Sequence, residues 1–162
     1  MILKKIVQIW FGRVPKKNKE CMGQVKTFAE SIGVEYELIK GNSLGSVAAN
    51  IIASNNLRLE IMRTCRRTLY VDSDIVMQEL PDFNVNIPAF STVRRIPVEA
   101  IMYSGDTRWF QRVQNPTDRI GGLKKVLSLK YLREDNNVDI IPEKSYIHYE
   151  YSKQERYRKE DE

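Results

Sequence analysis

The chain is predicted to be an α/β domain, a mostly parallel central sheet flanked by helices. Three observations carry that expectation. Short β-branched and aromatic runs alternate with long helical patterns through the first half of the chain. They come in the order strand, helix, strand, helix, strand, the signature of parallel pairing with helical crossovers. The third run, Thr68 to Val71, ends directly in Asp72-Ser73-Asp74, and in open parallel sheets ligands bind outside the carboxyl ends of the strands.

Taken in order, residues 2–9 form the first strand, which Trp10-Phe11-Gly12 ends in a turn. Pro15 suits the first residue of a helix, which runs to about Ser31 and is closed by Gly33. Residues 34–39 alternate as a second strand, Gly41-Asn42-Ser43 is a loop, and residues 46–65 carry a second, longer helical pattern. Beyond Met77, Pro81, Pro88 and Pro97 cut the chain into short pieces. Residues 89–92 and 98–103 read as added antiparallel strands. Residues 106–113 and 117–129 read as helices, the second capped by Thr117. Residues 138–141 and 146–151 complete the reading as short strands.

A length of 162 residues suits one compact domain with a core and is too short for two. Residues 1–151 are read as that domain, and residues 152–162, polar and of mixed charge, as a tail. A composition 42% hydrophobic and 29% charged is that of a folded chain, not a disordered one. No apolar run approaches the ~20 residues of a membrane span, and the first residues lack the apolar stretch of a signal peptide. Cys21 and Cys65, in helical contexts, give neither a disulfide framework nor a zinc site. A reducing cytoplasm fits these features best. The net charge of +5, from 26 basic and 21 acidic side chains, would permit a polyanion partner. Yet Lys16, Lys17, Lys19, Arg66-Arg67, Arg94-Arg95 and Lys124-Lys125 are scattered, and no nucleic-acid motif accompanies them. They are read as solvated faces, with an anionic small substrate as the second choice and no nucleic-acid partner.

The chemistry concentrates at Asp72 and Asp74. Two carboxylates one residue apart at the end of a buried strand are costly to bury unpaired. A hard divalent cation, magnesium or manganese, is the usual compensation, and such a cation in turn binds a diphosphate. The plainer alternative is that both acids cap a turn. A second clue lies in the long helix, where Ile51, Asn55, Arg58 and Met62 share one face. Asn offers a donor and an acceptor, and Arg a rigid fork suited to phosphate or sugar hydroxyls. Arg58 can equally pair with Glu60 or Glu79. Trp10 can stack on a nucleotide base, although a Trp at a strand end is more often core.

Three blocks together, Ile6-Val7-Gln8-Ile9-Trp10-Phe11-Gly12, Ala53-Ser54-Asn55-Asn56-Leu57-Arg58 and Leu69-Tyr70-Val71-Asp72-Ser73-Asp74, resemble a known family. It is the DXD-containing sugar-transferase family that includes yeast initiating mannosyltransferases, bacterial capsular polysaccharide transferases and glucosylating clostridial toxins. The resemblance covers roughly the first half of the chain. It implies a single-domain A-type nucleotide-sugar transferase fold, here reduced in size, and transfer of a hexose from a UDP- or GDP-sugar with retention, using manganese or magnesium. By matching position it implies that Trp10 stacks on the base and that Arg58 reaches the donor's phosphates or sugar. Asn55 then lies beside the sugar and Tyr70 lines the pocket. Asp72 contacts ribose and the metal's water shell, and Asp74 ligates the metal. His148, the only histidine, is the candidate late metal ligand, the other reading being a structural role.

Two departures stand out. The family usually has Asp where this chain has Asn55, and a Gly-Gly pair where it has Arg66-Arg67. The acceptor, whether glycan, lipid-linked or protein, is left open. The alternatives are a weakened transferase fold that binds a nucleotide sugar or a protein partner, and a metal-dependent nucleotidyltransferase. A P-loop, which would mark one phosphoryl-transfer class, is absent.

Overall fold

The computed structural model describes residues 2–150; the expected tail and the end of the last expected strand lie outside these residues. Strand β1 (Lys5–Phe11) leads through helix α1 (Lys16–Ser31) to β2 (Glu35–Gly41), then through α2 (Val47–Thr64) to β3 (Thr68–Val71). There follow β4 (Ile75–Met77), β5 (Ala89–Val93), β6 (Ile96–Tyr103), the single turn α3 (Arg108–Gln111), α4 (Gly122–Arg133), β7 (Asp139–Ile140) and β8 (Tyr146–His148). Six strands form one sheet in the order β2-β1-β3-β6-β5-β7, and β4 pairs with β8 alone. β1 is parallel to both β2 and β3, and β7 is parallel to β5. β6 runs antiparallel to β3 and β5, as expected of the added strands.

The period of two along each strand divides the core into two layers. Ile6, Leu69 and Val71 pack with Val25 and Ala29 of α1 on one face. Val7, Ile9 and Tyr70 pack with Leu59 and Met62 of α2 on the other. The chain therefore crosses from β1 to β2 on one side of the sheet and returns to β3 on the opposite side. The β1/β3 boundary is the point where the winding reverses, and in open parallel sheets ligands bind at the carboxyl ends of the strands at such a point.

Local chemistry sets the boundaries. Pro15 caps α1, Gly33 follows it at φ +70, and the Ser46 hydroxyl accepts a hydrogen bond from the Ala49 N–H at 3.1 Å to start α2. Four expectations need correction. β1 continues through Trp10 and Phe11, because both pair with Lys40 and Gly41 of β2. Residues 75–77 are a strand, which short length had hidden. The expected helix 106–113 shrinks to four residues, held off by Thr107 at φ +76 and by the Asp106 carboxylate accepting from the Arg108 N–H at 3.1 Å. Thr117 does not cap α4. Its carbonyl accepts from the Arg119 N–H at 2.7 Å in a tight turn, and the helix starts only after Gly121.

Arg67, at the doublet where the resembling family has glycines, takes φ +52. Its N–H donates to the Gly105 carbonyl at 2.9 Å and its own carbonyl accepts from Lys4 at 2.9 Å, so the fold pins that conformation. A side chain in the left-handed region costs about 1–2 kcal/mol, part of which glycine returns through its freer unfolded state. Arg67→Gly is expected to stabilise the fold by about 0.5 kcal/mol, a rise in Tm of about 1–2 °C. A lower Tm in thermal melts would show that the Arg67 side chain contributes contacts worth more than the strain.

Candidate functional site

Asp72 and Asp74 sit where β3 ends and β4 begins, with Ser73 between them. The Asp72 N–H donates across to the Ala100 carbonyl at 2.8 Å, and the Ile75 N–H donates to the Asp72 carbonyl at 3.3 Å. The turn is therefore locked into the sheet on both sides. Asp74 is almost wholly buried, at 1% exposure, and Asp72 is partly open.

Five elements converge on this turn. From α2, the Arg58 guanidinium lies 3.6 Å from Asp72 Oδ1, donates to the Glu99 carbonyl at 3.0 Å and stacks 4.2 Å above the Tyr70 ring. From β3 itself, the Tyr70 hydroxyl donates to Asp72 Oδ1 at 3.2 Å, an oxygen that also accepts the Ser73 N–H. From β1, the Gln8 amide donates to the Asp72 carbonyl at 3.2 Å and accepts the Tyr36 hydroxyl at 2.7 Å. From α1, buried Asn18 donates to the Ser73 hydroxyl at 3.1 Å. From β8, His148 Nε2 lies 3.1 Å from Asp74 Oδ1.

The last of these depends on the β4–β8 pairing, whose register sets His148 opposite Ile75. The Tyr149 N–H donates to the Asp74 carbonyl at 2.9 Å and continues the clasp. One ligand atom each from Asp72, Asp74 and His148 lies within 4.8 Å of the others. At that spacing two carboxylate charges repel by about 3 kcal/mol or more at an effective dielectric of ~20, and Arg58 against Asp72 returns about 4–5 kcal/mol. The guanidinium thus offsets the repulsion but not the desolvation of the buried Asp74, several kcal/mol. Burial accordingly pushes the Asp72 carboxyl above its ordinary range; Asp74 and Glu99 add to that, and Arg58 and His148 oppose it. Burial works against the His148 imidazolium, yet its contact with Asp74 and the Asp72 charge hold its pKa above the usual value. Arg58 is also raised, its burial outweighed by Tyr70, Asp72 and Glu99.

Of the residues expected at the site, Arg58, Tyr70, Asp72, Asp74 and His148 meet here. Arg58 pairs with neither Glu60 nor Glu79; Glu79 faces Lys144 at 3.8 Å. Asn55 is buried one turn away, and its amide donates to the Ile120 carbonyl at 3.1 Å, joining α2 to the segment that enters α4. Trp10 is at the same edge of the sheet, 3% exposed, with its indole N–H donating to the Arg13 carbonyl at 3.1 Å. Alternation along β1 sets it on the α1 face with Ile6 and Gln8, whereas Arg58 and Tyr70 occupy the α2 face. Sequence reading passed over Gln8, Asn18 and Glu99. Gln8 and Glu99 had a visible signal, a lone polar residue inside an apolar strand. The Glu99 Oε2 and the Arg58 Nε are both buried without a hydrogen-bond partner among the described residues.

No protein-family model matches the chain, and no curated protein does. Solved structures with a similar fold are glycosyltransferases. One is a glycosyltransferase involved in the glycosylation of the major capsid of PBCV-1, at TM-score 0.55 and 11% identity over 97% of this chain and 100% of that one. Another is the catalytic domain of Drosophila β1,4-galactosyltransferase 7 in complex with xylobiose, at TM-score 0.60 and 11% identity over 96% and 73%. The galactosyltransferase LgtC, with donor and acceptor sugar analogues, gives 0.50 and 11% over 84% and 72%. The fold is thus the A-type fold of these glycosyltransferases, in a small chain.

Gln8, fully buried, is the link between β2 and the Asp72 backbone. Gln8→Leu keeps much of the volume but strands the Tyr36 hydroxyl and removes one donor from Asp72. It is expected to cost about 1–3 kcal/mol in urea unfolding. An unchanged midpoint would mean that water replaces the amide and that Gln8 does not hold the turn.

Proposed function

We propose that the chain is a metal-dependent glycosyltransferase that moves a hexose from a UDP- or GDP-sugar to an acceptor, with retention of anomeric configuration as the resemblance implies. The observation that carries this reading is the convergence of Asp72, Asp74 and His148 at the point where the sheet's winding reverses. Two carboxylate oxygens and an imidazole nitrogen form a donor set suited to manganese, and the carboxylates and water alone suit magnesium. The residues present therefore fit the cation that the fold class implies. When bound, that cation would neutralise charge on the departing diphosphate.

The protein's own groups have separable tasks in this reading. Asp74 would hold the cation from the buried side, and Asp72 and His148 from the open side. Arg58 opposes the burial that raises the Asp72 carboxyl and, through its unpartnered Nε–H, offers one donor to a phosphate or sugar oxygen. Tyr70 fixes which Asp72 oxygen faces inward. Asn55 keeps its amide oxygen for a sugar hydroxyl, and Trp10 serves the base only if the Arg13 segment moves. The bond from C1 to the donor phosphate breaks as the acceptor oxygen bonds to C1, and the acceptor's proton passes to the leaving phosphate. No protein base is then required.

Release of free UDP or GDP from a panel of nucleotide sugars with manganese tests this directly. EDTA and Asp74→Asn are each expected to reduce release to background. His148→Ala should raise the manganese requirement at least about tenfold. The anomeric proton signal of the transferred sugar reports the stereochemistry. Release that ignores both EDTA and Asp74→Asn would remove the metal from the mechanism. Manganese-dependent nucleotide binding with no release at all would mark a binding protein instead.

A further inference from the structure

A second cavity, of about 690 Å³, lies outside the carboxylate site, between α1 and the edge strand β2. Its rim carries Arg13, Lys16, Lys19, Lys26 and Lys40, and among the described residues no acid lines it. All five cations are exposed, and none of them makes an ion pair with another described residue. The acids of β2 are turned away by the pleat: Glu37 and Glu35 meet Lys5 at 3.0 and 3.8 Å. Among the described residues the positive field is therefore uncompensated at the groove itself, unlike a surface where charges of both signs are interspersed.

The shape is as informative as the charge. Lys16, Lys19, Gly23 and Lys26 follow one face of α1 over about 15 Å. Tyr36, Leu38 and Lys40 form the opposing wall on one face of β2. Between the cations the surface is apolar, supplied by Met22, Leu38 and the Tyr36 ring. Gly23 stands in mid-helix, where glycine costs about 1 kcal/mol relative to alanine. A Cβ there would meet nothing within 4 Å, so no internal packing requires the glycine, and its absence of side chain leaves the helix wall flat.

We infer that this groove binds a linear anionic glycan, an acceptor chain bearing carboxylates at regular intervals. The inference names the acceptor class and so rests on the sugar-transfer reading above. A trough about 15 Å long with cations on both rims and an apolar floor accommodates a few sugar rings, whose acid groups reach the rims while their C–H faces lie on Leu38 and Tyr36. Among the described residues its one aromatic ring is Tyr36, half-buried with its hydroxyl held by Gln8, so they do not form the successive stacking platforms of a single-stranded nucleic-acid groove. A concave surface whose exposed apolar side chain, Leu38, lies on the groove floor below the cationic rims is equally unsuited to a bilayer. The groove also leads toward the catalytic edge. Lys40 lies opposite Trp10 in the β1–β2 register, and Arg13 follows directly after β1.

The experiment is calorimetric titration of the whole chain with tetragalacturonate, with uncharged maltotetraose, a short oligo-dT and anionic phosphatidylglycerol vesicles as comparison arms. Tetragalacturonate is expected to bind, with affinity that falls as salt rises, and maltotetraose not to. Lys19→Glu with Lys26→Glu should weaken binding about tenfold or more. Gly23→Leu, which favours the helix and leaves every charge in place, should weaken it comparably by filling the groove. Manganese-dependent donor hydrolysis should persist in both variants. Tighter binding of oligo-dT or of vesicles, no tetragalacturonate binding, or binding indifferent to Gly23→Leu would each overturn the glycan groove. Loss of the groove with donor hydrolysis intact leaves the transferase reading standing. Glycan binding without any donor hydrolysis upholds the groove and removes the transferase.

Discussion

The constraint on which this structure turns is the burial of two neighbouring acids at the junction of two short, fully buried strands. β3 has four residues and β4 three, all of them buried, so the turn between them cannot swing out to solvent without unpacking the centre of the sheet. Asp72 and Asp74 are held inside by that packing and not by any preference of their own. Everything nearby reads as compensation: a guanidinium and a tyrosine hydroxyl on the Asp72 carboxylate, an imidazole on Asp74, and two buried amides on the Asp72 carbonyl and the Ser73 hydroxyl. Removing one partner of such a group costs far more than the pair contributes, because the remaining charge stays buried.

The compensation comes from distant parts of the chain, which explains how a small domain can hold the site. Each element contributes one side chain: Gln8 from β1, Asn18 from α1, Arg58 from α2, His148 from β8. Such a site is rigid because its supports are secondary structure, and rigid placement is what electrostatic stabilisation of a charged leaving group requires.

How far the sequence could be read follows from the range of each interaction. The strand ending in Asp72 and the helix face carrying Arg58 are local patterns, and both stand where composition and periodicity put them. Element order gave the parallel pairing but not the switch of winding at β1/β3, which depends on the two helices packing on opposite faces of the sheet. His148 was recognisable as a candidate but not placeable, since it reaches Asp74 only through a three-residue strand pairing more than seventy positions away in sequence. The α4 boundary was misread because Thr117 has the chemistry of a cap, while the glycine pair Gly121-Gly122 sets the start: a Cβ at Gly122 would come within 2.5 Å of the Thr117 carbonyl. Arg67 is the instructive reverse. Its neighbours demand a backbone suited to glycine, and the residue type conceals that demand.

Tyr36 connects the two regions of interest. Its hydroxyl, bonded to Gln8, has its pKa pushed up to about 12 by burial, so it stays a proton donor throughout the physiological range. Gln8 must then present its carbonyl oxygen to Tyr36, which leaves only the NH₂ group to face the Asp72 backbone. The orientation of one buried amide is thereby fixed by a tyrosine at the wall of the cationic groove. α1, the other wall, reaches the same turn through Asn18 and Ser73. A ligand that shifted either wall would pull on the backbone between the two acids. The edge strand and first helix are in this sense part of the site's support, although neither carries a carboxylate that faces it.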